Sequence, residues 1–94
     1  MLFASLWNDG KFFEAHEALE ALWIRTRDRE QQGLIQAAVA LHHLRRGNVR
    51  GARKMIDRAL SRLPESAVAR YCRVVRDGLE RLSSDELIAR RPRL

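Results

Sequence analysis

The residues able to do chemistry gather in one stretch, Phe12 to Trp23, where His16, Glu17 and Glu20 stand within a turn of one another. On a helix of about 100° per residue, His16 lies about 40° from Phe12 and about 20° from Trp23, which puts the imidazole on the core-facing side. His16 and Glu20, at i and i+4, offer two ligand types to one point, as at the start of a zinc-binding helix. Metalloproteases of that kind need histidine at both ends of the motif, and here Glu20 takes the second place. A third ligand would come from the next helix, so the metal set is His16, Glu20 and His42 or His43. The paired Glu-x-x-His motifs of di-iron bundles are absent.

A hydrogen-bonded core network has the stronger physical support. In it His16 meets Glu17 or Glu20 from its own helix and Gln36 or a histidine from the next, because buried polar groups are normally paired for satisfaction and packing specificity. Acid–base chemistry by the same group is a further reading, since a carboxylate beside an imidazole is how functional pKa values are tuned. There is no activated serine or cysteine, no phosphate-cradling glycine loop and no nucleotide motif. The residues therefore assign no catalytic role and no cofactor.

The elements that must position this stretch are helical. Leu2, Phe3, Leu6 and Trp7 recur at one-turn spacing before Asn8-Asp9-Gly10, which predicts a short first helix with Gly10 just past its end. From about Lys11 to Thr26, Phe12, Ala15, Leu19, Leu22 and Trp23 form one stripe. Asp28 is an N-cap candidate for a helix from about Arg29 to Arg46 that is apolar nearly all round and therefore central. Its polar groups are ordered: Gln32, Gln36 and His43 share one face, and His42 lies on another beside Ile35. Gly47-Asn48 supplies a stop and a new N-cap in succession, predicting a tight hairpin into a helix from about Val49 to Leu63, which Pro64 ends. Ser66 caps a last long helix whose stripe runs from Val68 to Leu82, with Gly78 as its weak point. Ser83 to Ile88 could add a capped turn, and residues 83–94 are expected to be a flexible basic tail.

Ninety-four residues make one domain, with a single core small enough that a second copy would help it. The chain is 46% hydrophobic and 32% charged, which excludes a disordered class. No apolar run approaches the roughly 18 residues that cross a bilayer, and the Met1-Leu2-Phe3 start does not resemble a secretion signal, so a cytoplasmic protein is expected. Cys72, the single cysteine, is spaced as a core residue. The net charge of +6 is uneven, because residues 1–44 sum to −2 and the remainder carries +8. Arg50, Arg53, Arg58, Arg62, Arg73 and Arg76 make up a basic surface that permits nucleic-acid binding, although a solvated helix face is the favoured reading of it.

Three motifs in order carry a resemblance to a known family. Phe12-Phe13-Glu14-Ala15-His16-Glu17 with Leu19-Glu20 and Trp23, then Gly33-Leu34-Ile35-Gln36-Ala37-Ala38, then His43 and Gly47-Asn48-x-x-Gly51-Ala52 resemble the signature of a bacterial and archaeal family, domain of unknown function 309. The resemblance spans about Leu6 to Leu63. It implies a compact all-helical domain and carries no activity with it. The matching polar positions are Glu14, His16, Glu17, Glu20, Gln36, His43 and Asn48.

The expected fold is thus all-α, a compact bundle of four main antiparallel helices preceded by a short N-terminal one. The expected function is a binding module, compatible with assembly as a homodimer, whose polar cluster of Glu14, His16, Glu17, Glu20, Gln36 and His43 lies between two helices. A metal-dependent enzyme and a nucleic-acid binder are the alternatives.

Overall fold

Six helices follow one another along the chain: α1 (Leu2–Asn8), α2 (Phe12–Thr26), α3 (Arg29–Arg45), α4 (Val49–Arg62), α5 (Ala67–Gly78) and α6 (Ser84–Ala89). The structure is a computed structural model that describes residues 2–94, and no strand occurs among the described residues.

Local chemistry explains where the helices stop. Gly10 and Gly47 adopt positive φ (+78° and +76°), the left-handed conformation that ends a helix most cheaply in glycine. After α1, the N–H groups of Gly10 and Lys11 donate to the carbonyls of Trp7 and Leu6. After α3, those of Gly47 and Asn48 donate to Leu44 and His43 in the same pattern. Asn48 closes α3 and at once opens α4, its Oδ1 accepting from the Gly51 N–H at 2.9 Å. Asp28 caps α3 in the same way, through the Gln31 N–H at 2.9 Å. The end of α2 has no glycine: Arg27 takes the left-handed conformation (φ 54°), and its guanidinium lies 4.5 Å from the centre of the Trp23 ring.

Short connections make α2 and α4 antiparallel to α3, which packs against both. Alpha-5 and α6 lie against α3 as well. Its buried residues are mostly small, Gly33, Ala37, Ala38 and Ala40 among them, so neighbours come close. At Gly33 the approach is extreme: a Cβ there would stand 2.8 Å from Leu63 Cγ and 3.3 Å from the Leu63 backbone nitrogen.

Trp7 is fully buried where the two ends of the chain meet. Its ring packs edge-on against Phe12 (5.7 Å between centroids) and Tyr71 (6.2 Å), and its Nε1–H donates to the Pro92 carbonyl at 2.9 Å. Arg91 donates to the carbonyls of Trp7 (3.0 Å), Asn8 (2.8 Å) and Ile88 (3.1 Å), satisfying the exposed end of α1. The Tyr71 hydroxyl donates to the Leu87 carbonyl at 2.6 Å.

The C-terminal third differs from expectation in two respects. The last long helix ends at Gly78, where a Cβ would stand 2.8 Å from Leu87 Cδ2, so this glycine is a contact point for a sixth helix. That helix, α6, begins with a reciprocal capping box between Ser83 and Glu86 and buries Leu87 and Ile88. Residues 83–94, expected to be a flexible tail, are instead a helix and a strap. The correction has a physical reason: Trp7 needs a buried acceptor and α1 needs donors, and this segment supplies both.

Replacing Trp7 with Phe removes the donor and leaves the Pro92 carbonyl unpaired, so urea unfolding should show a loss of about 1–3 kcal/mol. Gly33→Ala should cost about 1–3 kcal/mol by overpacking, because the backbone of Leu63 cannot yield as a side chain could.

Candidate functional site

Burial of Phe12, Ala15 and Leu19 fixes the rotation of α2 about its axis and turns His16, Glu20 and Trp23 toward one edge. Across from that edge, α3 presents Gln32, Gln36 and Val39, and α4 contributes Met55. These side chains, with Ile35, line a cleft of about 300 Å³. A second hollow of about 320 Å³ at the α3–α4 turn is lined by His43, Asn48, Arg50, Gly51, Lys54 and Met55. Met55 lines both, so the two hollows adjoin along α3, the first against α2 and the second at the α3–α4 turn, and together they form the groove of this face.

The expected polar residues share this face but do not bond to one another. His16 is half-buried, and its Nδ1–H donates to the Phe13 carbonyl at 2.5 Å, one turn back on its own helix. That bond leaves Nε2 of the neutral ring as an acceptor. Gln36 Oε1 accepts from Arg62 of α4 at 3.5 Å, and His43 Nδ1 lies 3.3 Å from Asn48 Nδ2. The expected bond from His16 to Glu20 or Gln36 is not formed, because α2 satisfies the imidazole internally. Glu14 and Glu17 are exposed, and they are not among the residues lining the cleft.

The metal set fails on geometry. Among the described residues no three His, Cys, Asp or Glu side chains stand close enough to hold a metal ion. Of the proposed ligands, His42 packs against the Phe13 ring (5.2 Å), His43 faces Asn48, and only His16 and Glu20 reach the cleft. The basic surface is also divided. Arg53 pairs with Glu80 (3.4 Å), Arg73 with Glu65 (2.9 Å) and Arg76 with Asp77 (3.9 Å), while Arg62 turns toward Gln36. Arg50 and Arg58 have no carboxylate partner among the described residues.

Two features of the site were not read from the sequence. Met55 sits at the margin of the α4 stripe, and its angle alone could have placed it in the groove. Trp23 Nε1, by contrast, is buried with no hydrogen-bond partner, a property that belongs to the assembled helices.

Titration is altered at three groups. His42 has its pKa held below the ordinary 6.5 by burial, then by the charges of Arg46, His43, His16 and Arg45. Burial raises the Tyr71 hydroxyl, and it pushes the Cys72 thiol up to about 12, so this cysteine is a core residue and not a nucleophile. No helix among the described residues is long and apolar enough to cross a membrane.

The fold and groove define a small all-helical domain with a polar face on its central hairpin. The family described as domain of unknown function (DUF309) matches residues 1–55, and the chain belongs to it. An uncharacterised protein of Aquifex aeolicus (strain VF5) is 40% identical over 58 residues, covering 57% of this chain and 17% of that protein. The uncharacterised protein YpuF of Bacillus subtilis (strain 168) is 42% identical over 53 residues, 52% of this chain and 30% of YpuF. The match thus spans less than a third of either relative. No solved structure matches the chain.

The lowered pKa of His42 has a consequence for stability. Below 6.5 the unfolded chain binds this proton more readily than the folded chain, so stability rises with pH there. The His42 contribution should be fully present above pH 6.5 and lost as the pH falls through the folded value. Urea midpoints measured from pH 7.5 to 5 should drop less steeply in His42→Phe than in the unsubstituted chain.

Proposed function

We propose that the chain is a protein-interaction module whose α2–α3–α4 groove receives a partner chain. The observation that carries the reading is Trp23 Nε1, the one buried side-chain nitrogen or oxygen left without a hydrogen-bond partner among the described residues. An unmade buried bond costs about 1–3 kcal/mol, and a partner that displaces the side chains covering this N–H and offers it a carbonyl or carboxylate removes the cost. The cleft around Trp23 offers further polar groups in His16, Glu20, Gln32 and Gln36. Phe13 and Ile24, on the same edge of α2, are 46% and 56% exposed and supply apolar contact.

Binding fits these groups better than catalysis does. His16 spends its Nδ1–H on its own helix, and the single thiol is buried away from the groove. A cytoplasmic location belongs to the same proposal, supported by a lone cysteine that has no partner within the chain.

The two indoles provide a test with an internal control, since Trp7 Nε1–H is already bonded to Pro92 and Trp23 Nε1–H is not. With the chain diluted until sedimentation reports a monomer, titration with N-methylacetamide, a mimic of the peptide group, should shift the Trp23 indole resonance and leave that of Trp7 in place. Stationary signals, or equal movement of both, would overturn the reading.

A further inference from the structure

The charges bordering the groove are complementary and unspent. Glu20 at the cleft and Glu17 beside it make an acidic row on the exposed side of α2, with Glu14 further round the helix from the groove, while Arg50, Lys54 and Arg58 form a basic row along the exposed side of α4. Every ion pair within 4 Å among the described residues lies elsewhere, in Arg53–Glu80, Arg73–Glu65 and Arg76–Asp77. Arg53, Arg73 and Arg76 are therefore paired inside the chain, and the two rows bordering the groove are not.

The rows also match in height. Phe13 lies against His42, and Trp23 shares the cleft with Gln32, which sets the register of α2 on α3. His43 against Asn48 and Gly33 against Leu63 set that of α4. On this scale Glu14, Glu17 and Glu20 stand level with Arg50, Lys54 and Arg58 to within about one helical turn, ~5 Å.

We infer that the partner received by this face is a second copy of the chain, paired about a two-fold axis parallel to α3. The inference rests on the reading of the groove given above and names its occupant. A two-fold along α3 keeps every residue at its own height and exchanges left for right, so α2 of one copy lies over α4 of the other. Each acidic row then meets a basic row, and because the interface is isologous the match is made twice. The other in-plane two-fold, perpendicular to α3, lays α2 on α2 and sets glutamate against glutamate, which like-charge repulsion disfavours. Phe13 and Ile24, exposed on α2, are covered in the first arrangement, and the groove along α3 becomes an enclosed space between two copies. A partner carrying only basic or only acidic groups would satisfy one wall and leave the other unmatched.

Sedimentation equilibrium on the full chain tests this. A dimer is expected, and Glu17→Lys and Lys54→Glu should each weaken it at least about tenfold, while both together in one chain should restore most of the loss. The first substitution raises the net charge of +6 and the second lowers it, so an effect of overall charge would move the two in opposite directions. Circular dichroism checks that each variant is folded, since both positions are exposed. A chain that stays monomeric at all concentrations, a dimer indifferent to both reversals, or a double variant no better than the singles would overturn the inference. The amide titration on the Glu17→Lys chain keeps the two claims apart. A Trp23 shift there with a monomeric unsubstituted chain removes the second copy and leaves the groove reading. No shift there, with charge-dependent pairing intact, removes the role of Trp23 alone.

Discussion

The fold depends on satisfying one buried indole. Trp7 is enclosed by Phe3, Phe12 and Tyr71, and an N–H in such surroundings costs free energy unless it finds an acceptor. The acceptor is the carbonyl of Pro92, near the opposite end of the chain. This one bond explains why the C-terminal segment is a strap, and why Arg91 reaches the free carbonyls of α1. It reaches the groove as well, through Phe12. That ring is held between Trp7 and the guanidinium groups of Arg45 and Arg91, and with Phe12 inward α2 can only present His16, Glu20 and Trp23 to α3.

Alpha-3 is the second organising element, and its composition accounts for the shape of the site. Glycine and alanine let α4 close against one side of it, as the Gly33–Leu63 contact shows. On the side facing solvent between α2 and α4 stand Gln32, Gln36, Val39 and His43, partly buried and mostly polar. Each polar group there finds a local partner or water-facing space, and none reaches across to His16. The groove is consequently a place where polar groups meet without consuming one another. Exposed ion pairs contribute little to stability, so nothing in folding compels the rows on α2 and α4 to find partners inside the chain.

Much of this was legible in the residue order. Asp28, Asn48, Ser66 and Ser83 announce helix starts, and Gly10 and Gly47 announce helix ends, because capping acts within one turn and needs no tertiary context. The stripe through Phe12 and Trp23 placed His16 on the inner edge of α2, and the spacing of Gln32, Gln36 and His43 marked one face of α3. Family membership was readable from the same motifs. The length of the last helix was not, because the apolar stripe continues past Gly78 and only the approach of Leu87 shows why the helix breaks there. The strap was not legible either: Arg90-Arg91-Pro92-Arg93 looks like a solvated run until Trp7 is seen to need it.

For His16 the division is sharpest. Its type, its side of the helix and its proximity to Glu20 follow from sequence, since the 3.6-residue repeat sets direction wherever a helix forms. Its partner does not, because a histidine can bond back to its own helix or across to a neighbour, and the interhelical distances decide. By itself the sequence determined the starts of the first five helices, the inward edge of α2 and the polar face of α3, all products of interactions spanning one or two turns. The tertiary structure alone decided which polar atoms met, that Trp23 Nε1 met none, and which charges remained without partners, because these depend on how far apart the packed helices come to rest.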